Sequence, residues 1–140
     1  RGRGKNMIGK PSIEMYEKII ETIPVDISVL DENDKVLAWN NHENRIFKRP
    51  ESALGNDVRN CHPKKSLSKV EQILDEMKQG KREEATFYID LPIGKNKERN
   101  KVLIQYFAIR GENGEYKGCL EASQNITPHK EIEGQKRLLD

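Results

Sequence analysis

Apolar residues recur at helical spacing near the start of the chain. Ile13, Tyr16, Ile19, Ile20 and Ile23 fall on one side of a helix over 12–23, Ser12 stands where an N-cap belongs, and Pro24 stops the run. The pattern then changes to β-branched stretches. Residues 25–30 and 35–39 read as two strands of a hairpin around Asp31-Glu32-Asn33-Asp34. No long period follows in 40–60. Asn40 or Asn41 can cap a short helix through Phe47, and Pro50-Glu51-Ser52-Ala53-Leu54 a second helical turn ending at Gly55. Ser68-Lys69-Val70-Glu71 is a capping box, with Ser66 a rival cap. It predicts a helix to Gln79 with Val70, Ile73, Leu74 and Met77 as its apolar stripe and Gly80 as its end. Three strands follow at 85–91, 101–110 and 116–123, the last pair joined by Gly111-Glu112-Asn113-Gly114. Thr127-Pro128 then opens a terminal helix running from His129 to at least Leu139.

Five strands joined mostly by hairpins predict an α+β domain: an antiparallel sheet, short helices grouped on one face, and flanking helices at both ends. The strand at 102–109 is apolar at nearly every position, as a strand covered on both faces reads. The leading helix or a partner chain is the expected cover.

Composition narrows the class. The 140 residues suit one domain. Charged and hydrophobic residues each make up 34%, polar for a globular chain, yet the net charge of +2 gives no self-repulsion that would favour disorder. The charge is uneven: residues 1–10 hold four basic side chains and no acidic one, so the rest carries 21 basic against 23 acidic residues. That opening reads as a basic tail or linker, with 11–24 as the flanking helix, 25–127 as the domain and 128–140 as a signalling helix. No basic stripe with interleaved aromatics appears, which argues against nucleic acid. No apolar run approaches a membrane span, and the first ten residues hold no signal-peptide core. Cys61 and Cys119 do not make a disulfide scaffold, so a reducing, cytoplasmic setting is expected.

The order of elements and several local motifs resemble a PAS domain, a sensory and dimerisation module, over roughly 20–127. The hairpin around Asp31-Glu32-Asn33-Asp34 with its closing Asn40, Gly55 followed by His62-Pro63, the turn at 111–116 with Gly118, and Asn125-Ile126-Thr127 carry the likeness. Asn125 stands where the family usually has Asp. Arg59-Asn60-Cys61-His62-Pro63-Lys64-Lys65-Ser66, Tyr106-Phe107-Ala108-Ile109-Arg110 and Arg137-Leu138-Leu139-Asp140 further resemble the C-terminal PAS domain of bacterial hemerythrin-like fusion proteins. The resemblance implies a sensor of redox state, oxygen or a bound cofactor that relays its signal to neighbouring domains through its terminal helix.

Asn60-Cys61-His62-Pro63 is the most reactive cluster. His62 can serve as an axial ligand to haem, the leading cofactor, with His42 and His129 as rivals. The plainer reading is a histidine that tethers the loop entering the long helix; the segment 66–70, where familiar haem-binding relatives place their ligand, holds no His. Asn60-Cys61 resembles the Asn-Cys of flavin photosensors, but His62 replaces their Arg, which argues against flavin. Cys61 could also be a redox thiol, lowered in pKa by His62, Arg59 or a helix N-terminus, or simply pack beneath the loop. The expected pocket walls are Trp39, Ile46, Phe47, Leu54, Val58, Val70, Leu74, Ile104 and Tyr106, each equally readable as ordinary core. No zinc set, phosphate loop or nucleophile motif is present, so no enzyme is expected. The other reading is a ligand-free dimerisation module pairing through Ile13, Tyr16, Ile20 and Ile23.

Overall fold

The computed structural model describes residues 6–139; residues 1–5 of the basic tail and Asp140 at the end of the expected terminal helix lie outside them. Helix α1 spans Ile13–Thr22, and the Ser12 side chain accepts a hydrogen bond from the Met15 amide at 3.1 Å. Strands β1 (Asp26–Asp31), β2 (Val36–Trp39), β3 (Glu84–Ile93), β4 (Glu98–Arg110) and β5 (Tyr116–Asn125) form one antiparallel sheet in the order β2-β1-β5-β4-β3. The hairpins follow from turn chemistry. Asp31 Oδ1 accepts from the Asn33 and Lys35 amides at 2.9 Å each, and Asp34 takes the left-handed backbone at φ 66°. Gly114 supplies φ 82° in the second turn.

Helix α2 (Lys64–Lys78) lies over the sheet and buries Val70, Leu74 and Met77. It opens directly after Pro63, one turn before the expected capping box. Pro63 sits at the N-cap with φ −62° and leaves the chain set for a helix, so Ser68 is already interior. The Asp34 carboxylate joins the first hairpin to this helix: Oδ2 receives Lys78 Nζ at 2.8 Å and Arg59 Nη2 at 3.1 Å.

Three expectations change. Residues 41–47 form no helix. The Asp26 carboxylate accepts from the Ile46 and Phe47 amides at 2.8 and 2.9 Å, and Arg45 binds the Phe47 and Asn40 carbonyls, so side chains take the backbone groups a helix would use. The terminal helix is reduced to a 3-10 turn at Thr127–His129. Ile132, Leu138 and Leu139 beyond it are exposed, and Gly134 stands at φ 65°. A short segment with a central glycine and no packed face does not hold a helix in water. Nor does α1 cover the sheet's second face: it buries none of its residues, and Leu103 and Ile109 are half-buried.

Candidate functional site

The sheet face under α2 has two halves, set by register. Leu30 pairs with Cys119, which pairs with Ala108; with Val36, Val58, Val70, Leu74 and Met77 they make the apolar core. One step along the same face, Ser28 pairs with Glu121 and Glu121 with Tyr106; one further, Asp26 pairs with Ser123 and Ser123 with Ile104. Asp26, Ser28, Glu121 and Ser123 are all buried. Half of the interior is therefore polar, and buried polar groups need partners.

Much of that need is met by Arg45, 5% exposed. Its Nε donates to the Phe47 carbonyl at 2.8 Å, and its Nη1 to the Ile27 carbonyl at 3.1 Å and to Asn40 O and Oδ1 at 2.8 Å each. Its Nη2 donates to Ser28 Oγ at 2.7 Å. Burial pulls its pKa below the ordinary guanidinium value, and Asp26 opposes the shift. Asn40 is equally engaged: its Oδ1 also accepts from the Ile27 amide, and its Nδ2 donates to the Val25 carbonyl and to Ile20 of α1.

Four side chains beyond this network are less completely matched. Arg49 Nη2 stands 3.5 Å from Glu121 Oε2, an ion pair too long for a good hydrogen bond. Arg49 Nε, Glu121 Oε2 and His62 Nε2 are all buried without a hydrogen-bond partner. The Tyr106 hydroxyl, whose pKa burial and Glu121 both push up, donates toward the Glu121 carboxylate. His62 feels both Glu121 and Arg49, but burial dominates and lowers its pKa, so the ring is neutral at pH 7. Arg49 also lines a cavity of about 330 Å³ whose other walls are Asn41, His42, Glu43, Arg45 and Lys48. His42 Nε2, buried and without a hydrogen-bond partner, faces Asp26 Oδ1 at 3.5 Å.

The residues expected as pocket walls divide. Val58, Val70, Leu74 and Tyr106 are buried in the core cluster, with Trp39, Cys61 and Ile104 packed against it. Leu54, at the C-cap of a 3-10 turn (Glu51–Ala53), is 57% exposed. Phe47 and Ile46 contribute backbone amides to Asp26. Cys61 ends a 3-10 turn (Val58–Cys61) and is half-buried, while neighbouring Arg59 is committed to Asp57, Asp34 and Glu71. Burial pushes the Cys119 thiol up to about 12. Among the described residues no three His, Cys, Asp or Glu side chains converge on a metal site. Arg45, Arg49 and Glu121 were missed. The available signal was Glu121, a charged residue on the inward positions of β5 between Cys119 and Ser123.

A curved antiparallel sheet, one long helix and an irregular flap around a partly polar interior define a small sensory-type α+β module. Residues 16–127 match the sequence profile of the PAS domain, and the chain belongs to that family. Solved structures agree. The C-terminal domain of a Streptococcus mutans protein is 26% identical with a TM-score of 0.78, over 93% of this chain and 96% of that one. A PAS domain from Colwellia psychrerythraea is 19% identical with a TM-score of 0.60, over 83% and 98%. The PAS domain of BvgS from Bordetella pertussis is 20% identical with a TM-score of 0.61, over 82% and 86%. No curated protein is significantly similar. Among the described residues no helix is long and apolar enough to cross a membrane.

Proposed function

We propose that this domain senses a small ligand held between the sheet and the 41–66 flap, and that occupancy is relayed past Thr127 to neighbouring signalling domains of a longer cytoplasmic protein. A hemerythrin-like neighbour is the one suggested by the motif at 59–66. The supporting observation is Glu121: a carboxylate 6% exposed on the central strand, with one oxygen lacking a hydrogen-bond partner and a cavity beside its ion-pair partner. Protein interiors do not leave such groups unpaired without cost. The relay has a short path. Glu121 lies on β5, whose last residue, Asn125, accepts from the Thr127 amide through Oδ1. Thr127 Oγ1 accepts from the Lys101 amide at 2.6 Å, and the Ile126 amide donates to Lys101 O. A shift of β5 against β4 therefore acts on the exit of the chain. Native mass spectrometry of gently purified protein, with amide exchange at 125–132 before and after ligand removal, tests this. Exchange unchanged by occupancy overturns the relay.

Haem fits the site in one respect. The unpartnered, neutral His62 Nε2 suits ferrous iron, for which haem would supply gas binding. The neighbours do not fit: a porphyrin needs a flat apolar slot, whereas His62 lies within the fields of Arg49 and Glu121, and Val58, Val70 and Leu74 belong to the buried core. A small polar ligand suits these groups better. Hemin titration decides between them, since a visible band abolished by His62→Ala would restore haem.

Dimerisation is a second reading, favoured by α1. Ile13, Met15, Tyr16 and Ile20 are 77, 53, 41 and 41% exposed on a helix that buries nothing. A second copy of α1 is the proposed cover. Sedimentation should show a dimer that becomes a monomer on deleting 1–23; a monomeric full chain refutes it.

A further inference from the structure

Two arginines of the flap, four positions apart, are used in opposite ways. Arg45 spends its guanidinium on the Phe47, Ile27 and Asn40 carbonyls, Asn40 Oδ1 and Ser28 Oγ. Arg49 finds no hydrogen bond among the described residues, although its side chain is only 18% exposed; its contact with Glu121 at 3.5 Å is an ion pair alone. A guanidinium that far inside the protein with its donors idle is short of acceptors. Its Nε is closed off from water; the terminal nitrogens Nη1 and Nη2 are not. The space that Arg49 borders is the cavity of about 330 Å³ enclosed within 41–49, where Asn41, His42, Glu43, Arg45 and Lys48 are the other walls. Its charged walls are three cations, Arg45, Lys48 and Arg49, against one carboxylate, Glu43. Asp26 and Glu121 offset Arg45 and Arg49 from the sheet side, and neither lines the space. Lys48 is exposed and has no ion-pair partner among the described residues.

We infer that this cavity takes a compact organic monocarboxylate, received by the terminal nitrogens of Arg49, with Lys48 closing over it from the rim. Guanidinium and carboxylate match edge to edge, and such charge-assisted pairs are stronger than bonds between neutral groups. Glu43, the one acidic wall, disfavours a second negative charge on the ligand. The volume lies at the small end of ligand pockets and suits a molecule the size of benzoate. Arg49 then stands between two carboxylates, the ligand's and that of Glu121, so occupancy bears directly on β5. This rests on the sensory reading above and adds the ligand's chemical class.

The test titrates the full chain by calorimetry with benzoate, benzamide, benzamidine and inorganic phosphate. The expected result is saturable binding of benzoate and none of benzamidine. Benzamide, which keeps the shape and loses the charge, should bind about tenfold more weakly or worse, the scale of a hydrogen bond to a charged group. Arg49→Gln should abolish benzoate binding. Lys48→Gln, at an exposed position that leaves the core alone, should weaken it several-fold. Arg99→Gln, which removes an equal charge from a side chain 78% exposed on β4, should leave it unchanged. Benzamide binding as well as benzoate overturns the charge assignment, and phosphate binding more tightly than benzoate overturns the monocarboxylate; either result leaves a sensory pocket standing. Benzoate binding unchanged in both Arg49→Gln and Lys48→Gln overturns the site. If no probe binds at millimolar concentration and native mass spectrometry finds no co-purified molecule, the sensory reading falls with it.

Discussion

Replacing Arg45 with Met keeps much of the side chain's length and removes its charge and all five of its hydrogen bonds. Two carbonyls, Asn40 O and Phe47 O, lose the donor that Arg45 supplies, whereas Ile27 O retains the Asn40 amide and Asn40 Oδ1 retains the Ile27 amide. Asp26, the anion that most offsets the desolvation of Arg45, loses that cation while keeping its bonds from the Ile46 and Phe47 amides. Two orphaned acceptors, with a buried carboxylate that keeps its amide donors but loses the Arg45 cation, place the loss at about 3–5 kcal/mol. Arg45→Lys should recover only part of it, because an ammonium cannot span Ser28, Asn40 and Phe47 as the planar guanidinium does. Urea unfolding followed by Trp39 fluorescence measures both variants. A loss below about 1 kcal/mol for Arg45→Met would mean that water or movement of 41–47 satisfies these groups, and the account of the irregular flap would be wrong.

Two further predictions test other parts of the structure. Burial lowers the His62 pKa below 6.5, so the unfolded chain binds the extra proton more readily. His62 therefore costs no stability above about pH 6.5; below it, stability falls with pH until the folded pKa is passed. His62→Gln should remove that part of the slope in unfolding curves recorded between pH 5 and 8, and an unchanged slope would contradict the burial argument. Gly118 lies opposite Asp31 in β1, where an added Cβ would meet the Leu30 carbonyl oxygen. Gly118→Ala should destabilise by about 1–3 kcal/mol in the same urea assay, and an unperturbed midpoint would show that the two strands can separate freely.

The five strands, α1 and the stripe of α2 are legible in the residues because their signals are local. Alternation, the Asp31 and Asn113-Gly114 turns, Ser12 and Gly80 each act within a few residues. The terminal helix shows the boundary of that logic: Thr127-Pro128 starts a turn, but only packing could have continued it, and Ile132, Leu138 and Leu139 find nothing to pack on. The candidate site lies wholly beyond it. Arg49, Tyr106 and Glu121 come from three separate parts of the chain and meet because β5 inserts between β1 and β4. That pairing is non-local, and it turns a lone glutamate in a strand into a buried charge facing an arginine from the flap. Spacing along a chain reports which face a residue occupies; which residues share an enclosed space follows from how the faces are brought together.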